Sequence, residues 1–146
     1  MVSSSGARLQ WADDSLPCSY AMTSKHRIGV DAVTQYLENQ SIPEEGRYVF
    51  AYTITICNEG RIPARLLRRH WIITDGNGKV WEVRGDGVVG EQPRLLPGEC
   101  FRYTSAALIE TPVGNMRGEY EMLSDEGEFF DAPIPVFTLA VPGSLN

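Results

Sequence analysis

A chain of 146 residues with 42% hydrophobic and 22% charged positions can bury one substantial core and has the composition of an ordinary globular domain. Its net charge of −6 argues against general nucleic-acid binding, which depends on neutralising phosphates, and no apolar run approaches the roughly 20 residues of a membrane span. The charge is uneven: residues 1–46 hold six acids and three bases, residues 47–102 six acids and nine bases, and the remainder seven acids and one base, Arg117.

Residues 1–25 are polar, rich in Ser and Asp, and show no apolar periodicity, which predicts a poorly ordered N-terminal extension. Met22, just before the first regular segment, offers an alternative start. The N-terminal stretch has neither a basic n-region nor an apolar h-region, so no secretory signal is expected and the predicted location is cytoplasmic. The cysteines, Cys18, Cys57 and Cys100, are odd in number and widely spaced. That pattern suits a reducing compartment and speaks against a disulfide framework or a Cys-x-x-Cys zinc site. Cys57 and Cys100 read as small core residues.

Residues 26–146 read as a single domain with a period of two. At most Val33 to Gln40 holds a short helix. Tyr48, Phe50, Tyr52, Ile54 and Ile56 form one apolar face of a half-buried strand that ends at Asn58-Glu59-Gly60. A second strand runs from Arg65 to Thr74 into Asp75-Gly76-Asn77-Gly78, whose Asp-Gly and Asn-Gly pairs supply the positive φ of a hairpin turn, and Val80 to Arg84 returns. After Pro97-Gly98, Phe101, Tyr103 and Ser105 alternate with Arg102 and Thr104. Tyr120 and Met122 alternate with Glu119 and Glu121. Asp125-Glu126-Gly127 turns the chain, and Phe137, Leu139 and Val141 mark a last strand. About seven antiparallel strands with Gly, Pro and Asn turns predict an all-β sandwich.

Within RGDGVVGEQP, Gly85, Gly87 and Gly90 spell G-x-G-x-x-G. As a dinucleotide fingerprint this needs a preceding strand, a helix opening among the glycines, and an acid about 20 positions on. Only the strand is present. Pro93, Pro97 and Gly98 forbid the helix, a proline inside which costs about 3 kcal/mol, and Cys100 to Ile109 holds no acid. The glycines are therefore expected in a loop between strands. Such a loop can still form an anion concavity from successive N–H groups, with Arg84, Arg68 and Arg69 beside it. Arg61, Arg65, Arg68 and Arg69 are the densest basic group, read first as solvated arginines on exposed strand faces. Arg84-Gly85-Asp86 also spells an adhesion motif, discarded in a chain with no secretory signal.

No catalytic constellation is legible. His26 reads as solvated, and His70, mid-strand in Arg69-His70-Trp71, as hydrogen-bonded at a core edge. There is no G-x-S-x-G elbow, H-x-H, C-x-x-C or H-E-x-x-H, so neither a catalytic role nor a metal or cofactor is expected. Asp125, Glu126 and Glu128 read as a solvated hairpin tip, with weak capacity for a hard cation.

From Glu45 onward the phrases EEGRYVFAYTITI, RHWIITDGNG, VRGDGVVGEQPRLLPGE, FRYTSAALIETPVGNMRGEYEM and IPVFTLAVPGSLN, preceded by QYLENQS, resemble the ApaG family as one collinear block. The first 20-odd residues do not look like that family's usual short N-terminus. The resemblance implies a fibronectin type III or immunoglobulin-like sandwich and, in bacteria, a small cytoplasmic protein linked to cobalt tolerance and magnesium efflux. It brings no established catalytic activity. Similar domains within an F-box protein and a polymerase-delta-interacting protein look like partner-binding modules, and the family's glycine loop has been proposed to bind pyrophosphate. The expected function is a non-catalytic protein-interaction module with an unidentified partner, contacting it through Arg68, Arg84 and the loop after Gly85. The alternative is a phosphate, pyrophosphate or nucleotide sensor using the Gly85–Gly90 loop. Exposed sandwich edges leave a homodimer open.

Overall fold

A computed structural model of the chain describes residues 7–10 and 25–144. Nine strands run in chain order among these residues: β1 (Ala7–Gln10), β2 (Ile28–Tyr36), β3 (Tyr48–Asn58), β4 (Ala64–Asp75), β5 (Val80–Asp86), β6 (Arg94–Leu95), β7 (Glu99–Ile109), β8 (Val113–Ser124) and β9 (Phe129–Ala140). They form two antiparallel sheets, ordered β1-β7-β3-β2 and β5-β4-β8-β9, with the short β6 also on β4. The expected all-β sandwich is observed. The reading of residues 1–25 as an extension falls mostly outside the described residues; of the described ones, Ala7–Gln10 pairs with β7 and Lys25 with Glu126 and Glu128.

Alternation in β3 seats Phe50, Tyr52, Ile54 and Ile56 in the core, against Phe101, Tyr103 and Ile109 of β7 in the same sheet. The facing sheet supplies Leu66, Trp71, Met116, Tyr120, Met122, Ile134 and Leu139. Trp71 is the central contact between sheets. Its ring meets Tyr52 of the opposite sheet edge-on at 5.3 Å, and Tyr120 and Phe137 at 6.3 and 5.8 Å. Edge-to-face packing of this kind adds stability beyond area burial. The buried phenols of Tyr103 and Tyr120 hydrogen-bond each other across the sheets at 2.6 Å, and burial pushes both pKa values up, so both stay neutral.

Three expectations need correction. Val33–Gln40 is not helical: Ile28–Tyr36 pairs along its whole length with β3, and only Glu38–Gln40 forms a single 3-10 turn. Val30, Ala32 and Tyr36 alternate toward the core, and a helix would strand them. Cys57 and Cys100 form a disulfide. Separated by 43 residues in sequence, they are direct cross-strand partners in the β3–β7 register, with Cα atoms 4.0 Å apart. Cys18 lies outside the described residues. His26 is not solvated: its ring stacks on Phe130 at 4.5 Å and it contacts Glu128 at 3.0 Å.

Candidate functional site

The site begins with a bulge. Between Leu66 and Arg68 the β4–β8 register shifts by one, so Leu67 is an extra residue. Leu66 faces the core opposite Met122. Beyond the bulge the alternation restarts in the opposite phase, turning Arg69 and Trp71 inward and Arg68 and His70 outward. Among neighbouring arginines, one therefore enters the interior side of the sheet. The expectation that these arginines all sit on exposed faces fails at Arg69.

The bulge also exposes the Leu67 carbonyl, and the glycine loop closes onto it. Leu67 O accepts the Gly87 N–H at 2.8 Å and the Gln92 side-chain amide at 2.9 Å. Arg69 Nη1 donates to the carbonyls of Asp86 and Gly87 at 2.9 and 2.8 Å, and Arg65 donates to Gln92 O at 2.9 Å. Gly85 makes room for this clamp, since a Cβ there would lie 2.7 Å from Arg69 Nη2. The loop tip is a two-residue hairpin turn. Val88 and Glu91 exchange both backbone hydrogen bonds, at 2.8 and 2.9 Å, around Val89 (φ 43°) and Gly90 (φ 81°). Positive φ at both central positions is the signature of a type I′ turn. Gly87, at φ 65°, sits against the Glu91 backbone. No helix follows, as the sequence requires. The N–H groups of Gly87, Val88 and Glu91 all bond carbonyls of the chain, so they do not converge on a ligand.

The outward side chains form a lattice of charge. In the pairing register one row is Asp86–Arg68–Glu121–Asp131 and the next is Arg84–His70–Glu119. Arg68 pairs with Glu121 and, at 3.6 Å, with Asp86. Among the described residues Arg84 has one acid within ion-pair distance, Glu82 at 3.6 Å, and it is 72% exposed. Together with Arg69 and Gly85 the residues of these two rows line an open concavity of about 510 Å³, and Glu82 stands outside it. The structure thus brings Arg68, Arg84, Gly85 and one edge of Arg69 together and leaves Gly87 and Gly90 in the clasp beside them. The acids Glu119, Glu121 and Asp131 are the members that sequence reading missed. The Glu119/Glu121 alternation marked an outward face, but which strand lay beside it was not legible.

His70 is hydrogen-bonded mid-strand as expected, but on the outer face of the sheet rather than at a core edge. Nδ1 contacts Glu119, and Nε2 lies 2.7 Å from Glu82. The hydrogen bond with Glu119 first, then that with Glu82, raises the imidazole pKa above its ordinary value of 6.5, and the same contact lowers that of Glu82. Because the folded value is the higher one, the stabilisation is complete below the unfolded pKa and disappears as pH rises through the folded pKa. An NMR titration is expected to give His70 a midpoint above 6.5. Wild type should lose stability relative to His70→Gln as pH rises through that window; a midpoint at or below the ordinary value would contradict the geometry.

The acidic turn is committed to side-chain partners. Asp125 binds Arg94, Glu126 binds Lys25, and Glu128 binds both Lys25 and His26. Among the described residues no group of three or more His, Cys, Asp or Glu is arranged to hold a metal ion. No helix among them is long and apolar enough to cross a membrane.

Comparison with known proteins gives this geometry a family. A family model described as the ApaG domain matches residues 38–124. A protein from Aromatoleum aromaticum named Protein ApaG is 55% identical over 124 residues, covering 85% of this chain and 98% of its own. One of the same name from Azoarcus sp. is 60% identical over 121 residues, covering 83% and 95%. Among solved structures, one from Bordetella pertussis described as an ApaA protein superposes with a TM-score of 0.80 at 48% identity, over 83% of this chain and 98% of that one.

Proposed function

The chain belongs to the ApaG family, and from that premise we propose that it is a non-catalytic protein-interaction module whose contact surface is the outer face of β5, β4 and β8. The supporting observation is the charge lattice around the concavity at Arg68 and Arg84. Ion pairs this exposed contribute about 0–1 kcal/mol each to the fold, so they can be exchanged for contacts to a partner at little cost. Positive and negative groups in fixed alternation also discriminate among partners through complementary potentials. The matching partner is a protein surface of mixed charge. A second copy of this chain is one candidate, since β5 is a sheet edge among the described residues. The cytoplasmic location implied by the family resemblance belongs to the same proposal, as do the links to cobalt tolerance and magnesium efflux, which would act through the partner.

A pull-down from the native host, with the double variant Arg68→Glu/Arg84→Glu beside wild type, tests this. A specifically retained protein should be lost from the variant and kept by Val33→Glu, on the exposed face of the other sheet. Retention by both variants would reject this face.

A second reading, a sensor of phosphate, pyrophosphate or nucleotide, was expected to use the Gly85–Gly90 loop; with the N–H groups of Gly87, Val88 and Glu91 bonded within the chain, it draws instead on Arg68 and Arg84, two exposed guanidinium groups beside one concavity. Calorimetric titration with pyrophosphate, ATP and diadenosine tetraphosphate should give heat that Arg84→Ala removes. Absence of heat at millimolar ligand would sink it.

A further inference from the structure

The two sheets are closed along one side, where β2 and β9 pack together. The opposite side is different. There, among the described residues, β5 is the edge of one sheet, and β7 is an edge beyond Arg102, because β1 pairs with Glu99–Arg102. Between these edges lies a cleft of about 370 Å³ reaching the core, walled chiefly by Trp71, Ile73, Trp81, Val83, Leu108 and Met116. Val83 and Leu108 are 40% and 45% exposed at its rim, so apolar surface faces water on both sides of the opening.

The polar lining is sparse: Arg69, Ser105 and the Tyr52 phenol beside it. The cleft thus holds one cation and no acid. Arg69 donates through Nη1 to two loop carbonyls and has no carboxylate within ion-pair distance among the described residues. Its outward neighbours Arg68 and Arg84 both have acid partners. A half-buried guanidinium against apolar walls, bonded only to neutral carbonyls, is electrostatically incomplete, and a carboxylate is the acceptor its planar fork matches best. A cleft of this volume, mostly apolar with a few convergent polar groups, has the character of a small-molecule site.

We propose that this cleft binds a small organic carboxylate with an aromatic or branched apolar body. The carboxylate pairs with Arg69, and the body lies against Trp71, Trp81 and Val83. The site is distinct from the charged outer face, with which it shares only Arg69.

The test is titration with 3-phenylpropionate, followed by the fluorescence of Trp71 and Trp81 and by backbone NMR shifts, against the neutral isostere 3-phenylpropanamide. Saturable binding is expected, with the amide at least about tenfold weaker, as loss of a charge-assisted pair implies. Arg69→Gln should abolish binding, and Arg69→Lys, which keeps the charge without the planar fork, should weaken it by less. Because Arg69 also clamps the glycine loop, Val83→Glu provides a second variant at an exposed edge; its added carboxylate at the rim should suppress acid binding with the fold intact. Arg68→Glu and Arg84→Glu should leave it unchanged, which separates this outcome from that of the proposed partner face. The proposal is overturned by equal binding of acid and amide, by undiminished binding to Arg69→Gln or Val83→Glu, by shifts centred on Arg68 and Arg84, or by no saturable change at millimolar ligand.

Discussion

Trp71→Ala is expected to destabilise the domain by about 3–5 kcal/mol, the range for emptying a large aromatic site in a core that cannot collapse around it. Trp71 is 2% exposed and its ring spans the gap between sheets, touching Tyr52 from one and Tyr120 and Phe137 from the other. Its removal forfeits apolar burial and three edge-on ring contacts together. Trp71→Phe should cost much less. The indole N–H has no acceptor among the described residues, so no hydrogen bond is lost and an aromatic ring is kept. Urea unfolding of the two variants measures the difference. A loss below about 1 kcal/mol for Trp71→Ala would mean that the sheets are held together elsewhere.

Gly87→Val is expected to cost about 2–4 kcal/mol, combining a β-branched residue at φ 65° with a Cβ driven into the Glu91 carbonyl. The effect reaches past stability, because Gly87 also joins the loop to β4 by donating to Leu67 O and accepting from Arg69. Losing that clasp should free Arg69 and loosen the loop from Arg84 to Pro93. Any ligand or partner that uses this end of the sheet would then be bound less well, whether or not it touches Gly87. Arg84→Ala leaves the clasp untouched and is therefore the better probe of binding. Thermal unfolding and amide exchange of residues 84–93 check the prediction; an unchanged Tm with native-like exchange would contradict it.

The glycine motif shows how far sequence reaches in this chain. Pro93 and Pro97 were enough to exclude a helix and hence a dinucleotide site. What the glycines do instead depends on the Leu67 bulge, and a bulge leaves no mark in a run such as Arg65 to Thr74, where every position tolerates a strand. The same bulge decides which arginine turns inward. Strict alternation from Leu66 would bury Arg68 and expose Arg69, the reverse of what the β4–β8 register dictates. Where alternation was bulky and unbroken, as from Tyr48 to Ile56, the strand and its buried face were legible. The second half of β2 was obscured because Ala32 and Thr34, between the exposed Asp31, Val33 and Gln35, are too small to mark a core-facing row, and β6 is only two residues long. The Cys57–Cys100 bond was hidden because spacing along the chain says nothing about register across it.

The outer face of β5, β4 and β8 is the contact surface proposed for a partner, and crosslinking in the native host tests that assignment. The most direct measurement places a photo-crosslinking amino acid at position 84, and in a parallel protein at position 33 on the exposed face of the other sheet, then irradiates both in the native host. A single dominant adduct at position 84, absent at 33 and lost when Arg68→Glu is added, is the predicted result. An adduct at 33 with none at 84 would rule out this face as the contact surface.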